Sequence, residues 1–112
     1  MKLSILNRLN LSKLLHSDYI QERLKHRFNF LEWSMNDGII KKITISDEEQ
    51  TLVSLTQENG QLFWNSEKDP LKEIEFSALE KDFLIVLFKE LDGAKQIDSD
   101  NGPLYKLFVV GE

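Results

Sequence analysis

Residues 76–93, FSALEKDFLIVLFKELDG, constrain the fold more than any other stretch, because they contain the longest purely apolar run of the chain, FLIVLF at 83–88. As a strand, 83–88 would be buried on both faces, and a chain of 112 residues seldom has enough structure to cover both faces of a sheet. A helix fits better. Ser77 supplies an N-cap, Glu80 three residues later completes a capping box, and Gly93 stands just past the end. Leu79, Phe83, Val86, Leu87 and Leu91 then share one broad apolar face. The run predicts a core helix near 78–91, and it is far too short to span a bilayer.

Upstream, Leu3, Leu6, Leu9, Leu11, Leu14 and Leu15 recur at spacings of three and four residues, which predicts a helical segment ending near His16-Ser17, with a break near Asn10. Ser17 reads as the cap of a second helix reaching Trp33 or Met35, where Asn36-Asp37-Gly38 reads as a terminator. On that helix Ile20, Leu24, Phe28 and Leu31 form a core stripe. Tyr19, His26, Phe30 and Trp33 form a second stripe, with Arg23 and Arg27 between the two.

From Ile39 the apolar period suggests strands. IIKKITIS (39–46) places Ile39, Ile43 and Ile45 on one face. TLVSLTQ (51–57), LFWN (62–65), LKEIEF (71–76) and LYKLFVV (104–110) follow, separated by the acidic turn Asp47-Glu48-Glu49, by Asn59-Gly60, by Asp69-Pro70 and by the polar loop 95–103. Asn-Gly between two such runs signals a hairpin, since a type I′ turn needs positive φ at both central residues. The expected fold is therefore α+β: N-terminal helices packed on a four- to five-stranded antiparallel β-meander, with a further core helix near 78–91. One domain, 1–112, is expected, helical over about 3–35 and β-rich over about 39–110.

The chemistry is constrained by what is missing. Without cysteine there are no disulfides, zinc–thiolate sites or thiol nucleophiles. Asn7, Arg8 and Asn10 interrupt the N-terminal leucines, so no signal peptide is expected, and the reading is of a soluble, cytoplasmic protein. IDSDNG (97–102) fails as a calcium loop. Counted from Asp98, Gly102 falls at position five, Pro103 at six and Val109 at twelve, so a polar turn is expected and no metal or other cofactor. His16 and His26 lie ten residues apart across the expected break and do not suggest an acid–base pair. No Walker A loop, G-x-G-x-x-G, G-x-S-x-G or H-x-x-x-H occurs, which leans against an enzyme. A winged helix is excluded too, because 78–91 is too apolar to serve as a recognition helix.

Charge narrows the partner. The net −5 divides into +4 over residues 1–45, which hold all three arginines, and −9 over residues 46–112. The acidic part can steer a basic protein partner, and Asp47, Glu48, Glu49, Asp98 and Asp100, within the turn 47–49 and the loop 92–100, are the candidate contacts together with the 67–75 segment. The expected function is non-enzymatic protein binding by a regulator, inhibitor, immunity factor or chaperone-like adaptor. RLKHRFNFLEW (23–33) carries the alternative, a nucleic-acid-binding or complex subunit with Arg23, Lys25 and Arg27 on phosphates and Phe30 or Trp33 stacking on bases. Overall acidity counts against nucleic acid. A dipolar chain of this kind also permits a symmetric homodimer.

Overall fold

The computed structural model describes residues 1–65 and 71–111. Helix accounts for 62% of the structure, which leaves no room for the expected meander; among the described residues strands form only two small two-stranded sheets. The order is β1 (Lys2–Leu3), α1 (Ile5–Leu15), a π-helical turn (Tyr19–Leu24) running into a 3₁₀ turn (Lys25–Arg27), α2 (Phe30–Ile43), α3 (Asp47–Leu52), β2 (Thr56–Glu58), β3 (Gln61–Phe63), β4 (Lys72–Glu73), α4 (Ala78–Gly93), α5 (Gly102–Tyr105) and a closing π-helical turn (Lys106–Val110).

Four helices start on reciprocal caps. Ser4 with Asn7, Asn29 with Glu32, Ser46 with Glu49 and Ser77 with Glu80 each bond the partner's backbone N–H, so α1 to α4 all begin with their first free amides partly satisfied. The helix read over 78–91 is present as α4, on its expected cap; Gly93 is its last residue instead of the one beyond. Phe83, Leu84, Leu87, Phe88 and Leu91 of α4 sit at the centre of the core, with Leu11 and Leu15 of α1, Ile39 and Ile43 of α2, and Leu104 and Phe108 at the C-terminal end. Phe108 stacks on Phe88 at 5.7 Å between centroids and meets Phe76 edge-on at 5.8 Å.

Each failed strand has a physical reason. Ile39 and Ile43 are four apart, a spacing that satisfies both a period of two and one turn of helix. They are buried on α2, which runs through Asn36-Asp37-Gly38 to Ile43. Gly38 does not take the left-handed conformation of a terminator. It faces α4, where a Cβ would lie 3.0 Å from Glu80 Oε2, so glycine here permits a close helix–helix approach. Leu104 and Phe108 have the same ambiguous spacing and are buried from α5 and the turn after it, not from a closing strand. Of 51–57 only Thr56 and Gln57 are extended, with Thr51 and Leu52 belonging to α3. Of 71–76 only Lys72 and Glu73 form strand, opposite Leu3 and Lys2, and Ile74 exchanges hydrogen bonds with Met1 beside them. The hairpin at Asn59-Gly60 does form: both residues have positive φ (52° and 78°), and Glu58 faces Gln61 across it. Asp69-Pro70 and part of the 67–75 segment lie outside the described residues.

The first helix ends where expected but without a break at Asn10. The expected second helix, in contrast, is interrupted. Phe28 is extended (φ −116°, ψ 144°) and Asn29 caps a new helix, so RLKHRFNFLEW spans a junction. Ile20 and Leu24 stay in the core, whereas Leu31 is turned out to solvent. Helices α2 and α4 run antiparallel: Gly38 and Lys42 meet Glu80 at one end, while the Phe28 and Phe83 rings meet at a tilt of 44° (4.7 Å between centroids) and Arg27 pairs with Glu90 (3.9 Å) at the other.

Candidate functional site: the α2–α4 groove

The antiparallel pair leaves a groove on its outer side. Phe28, Leu31 and Met35 form one wall, Leu79, Phe83 and Val86 the other, and the charged lining residues are Glu32 and Asp82. Three of these apolar residues are exposed: Leu31 at 62%, Leu79 at 57% and Val86 at 43% of full exposure. Their placement follows from helix geometry. Leu31 and Met35 are one turn apart on α2, and Leu79 and Val86 two turns apart on α4, on the side away from Leu84, Leu87, Phe88 and Leu91. Phe30, the first residue of α2, is 93% exposed.

At the end of the groove by Leu79, Gly38 and Glu80 lock the pair. Glu80 is buried. Its Oε1 accepts from the Ser77 N–H at 2.8 Å and from the Lys42 ammonium. Burial pushes its pKa up, but the Lys42 and Ser77 hydrogen bonds outweigh that, and the carboxyl is held below its ordinary value. Phe83 also meets Trp33 edge-on at 6.0 Å.

The acidic residues expected to bind a partner do not converge. Asp47 and Glu48 are exposed in the first turn of α3. Glu49 is committed internally, accepting from the fully buried Arg8 guanidinium and from Lys72 at 3.3 Å; the Arg8 hydrogen bond lowers its pKa to about 2. Asp98 closes a turn by accepting the N–H groups of Asp100 and Asn101, both at 2.9 Å, as the polar-loop reading expects. The Asp100 carbonyl accepts from Asn10 at 3.4 Å. Arg8 and Asn10 are two residues apart on α1, about 200° around the helix, so the two acidic clusters sit on different sides of it.

The basic–aromatic set is also divided. Lys25 lies over the Trp33 ring at 5.7 Å, and both border a shallow cleft with His26 and Phe30. Arg27 instead turns toward Glu90, and Arg23 lies over Tyr19 at 5.7 Å. Among the described residues no three His, Asp or Glu side chains gather as a metal site requires, and no helix is long and apolar enough to cross a membrane.

No protein-family model matches the chain, and neither a curated protein nor a solved structure is significantly similar to it. The groove residues Leu31, Met35, Leu79 and Val86 had a signal in the sequence, their four- and seven-residue spacing, but that spacing reads equally as core. Only the packing of α4 against α2 and the closing π-helical turn shows which side faces solvent.

Proposed function

We propose that this protein is a small, cytoplasmic, non-enzymatic protein-binding domain, acting as a regulator, inhibitor, immunity factor or chaperone-like adaptor, and that its contact surface is the α2–α4 groove. The supporting observation is the contiguous exposure of Leu31, Leu79 and Val86 between two acids. Apolar patches of this kind on a small domain mark contact sites. The net −5 then steers a basic partner toward the molecule and favours the correct encounter. This moves the contact from the scattered acids at 47–49 and 98–100 to a surface where apolar anchors and acids coincide. Burying the anchors supplies affinity, and the rim acids supply selectivity.

The test is affinity capture from native lysate by the wild-type chain and by Leu79→Glu, each with and without nuclease. One dominant protein, retained after nuclease and lost with Leu79→Glu, is the expected result. Capture of nucleic acid, abolished by Lys25→Glu, would overturn the reading in favour of the basic–aromatic cleft.

A further inference from the structure

We infer that the occupant of the α2–α4 groove is a basic amphipathic helix, with apolar residues at i, i+3 or i+4, and i+7, and lysine or arginine on both flanks of that stripe. The inference rests on the binding reading above and specifies its ligand. Three observations converge on it.

The first is length. Leu79 and Val86 are seven residues apart on α4, about 10 Å along the axis, and Leu31 and Met35 face them from the antiparallel wall. Two turns of helix present three apolar side chains over that distance, and a third helix seated on an antiparallel pair completes an ordinary bundle packing.

The second is backbone chemistry. The middle of the groove is walled by helix interiors, whose N–H and C=O groups bond within α2 and α4, so it offers side chains alone. An extended segment laid there would leave its own amides and carbonyls without partners, whereas a helix satisfies them internally.

The third is charge. The two charged lining residues are acids, one on each wall: Glu32 on α2 and Asp82 on α4. A helix seated between them meets negative charge on both sides of its apolar stripe, which selects cations at the flanking positions, as the positions beside a coiled-coil seam do.

The experiment is selection of a displayed library of random 16-residue peptides on the wild-type chain, with counter-selection on Leu79→Glu and, separately, Val86→Glu, each first shown to be folded by circular dichroism. The expected groove-dependent clones carry the helical apolar spacing with flanking Lys or Arg. Their synthetic peptides should gain helicity on binding, and should lose about tenfold in affinity to Glu32→Gln with Asp82→Asn, two modest charge pairs. Gln at 32 keeps the α2 capping box, so that loss reports charge. Groove-dependent clones that are acidic, proline-rich or alternating in pattern would overturn the helical occupant and leave the binding reading standing. Absence of any groove-dependent clone would overturn both. A wild-type dimer that Leu79→Glu converts to monomer would assign the groove to a second copy, and the inferred occupant would be wrong.

Discussion

Arg8, in the middle of the buried stripe Ile5, Arg8, Leu11 and Leu15 of α1, donates two hydrogen bonds to the Glu49 carboxylate of α3. This pair joins the N-terminal helix to the segment leading into the hairpin, with Lys72 of β4 as a third member. Its two ends are unequal: Arg8 is fully buried, and Glu49 keeps some contact with water.

Glu49→Ala strands a buried guanidinium and is expected to cost about 3–5 kcal/mol. Arg8→Met leaves a carboxylate that still has Lys72, Ser46 and partial solvation, and fills the apolar stripe; it should cost clearly less. Urea denaturation of both variants checks the order. Equal or inverted costs would show that burial of Arg8 does not set the energetics.

The same pair sets an acid limit. The Glu49 pKa is lowered from 4.5 to about 2, so its contribution to stability is fully present above about pH 4.5 and is lost as the pH falls from there toward 2. The loss across that window should be about 2–3 kcal/mol. Stability of wild type and Glu49→Gln, measured from pH 7 to pH 2.5, should converge at the acid end; parallel curves would contradict the assignment.

Gly38→Ala tests the α2–α4 approach through a change of sign. Alanine favours a helix interior by about 1 kcal/mol. Here, however, its Cβ would stand 3.0 Å from a Glu80 oxygen whose carboxylate is held by Lys42 and Ser77. In the wild-type background Gly38→Ala is expected to destabilise by about 0.5–1 kcal/mol; in a Glu80→Ala background it should stabilise. A thermal-melt double-mutant cycle decides it, and the same sign in both backgrounds would refute the contact.

Gly60→Ala forces a Cβ into a positive-φ turn and should cost about 1 kcal/mol, confined to the hairpin. All six residues of β2 and β3 are exposed, so the expected readout is faster amide exchange at 56–63 with little change in global melting. A large fall in melting temperature would mean that the hairpin belongs to the core.

What could be read from the residues was local. Ser77 with Glu80 located α4, and Asn59-Gly60 located the hairpin, because caps and type I′ turns are decided by neighbours within four residues. The meander failed because Ile39 with Ile43, and Leu104 with Phe108, have spacings common to strand and helix, and tertiary burial chose helix. Asn36-Asp37-Gly38 resembles a stop signal only until α4 packs against it. The groove was hidden for a related reason: Leu79 and Val86 look like core until Leu84 and Phe88 are seen to take that place. Arg8 gave no sign of burial, since nothing near it in sequence identifies Glu49 as its partner.

The most direct measurement is hydroxyl-radical footprinting of the chain alone and bound to the protein it captures. Protection concentrated at Leu31, Met35, Leu79 and Val86, with Glu48 and Asp98 segments unchanged, is the result expected of an α2–α4 docking groove. Protection at 47–49 and 98–100, or at 23–27, with the groove residues as reactive as before, would contradict it.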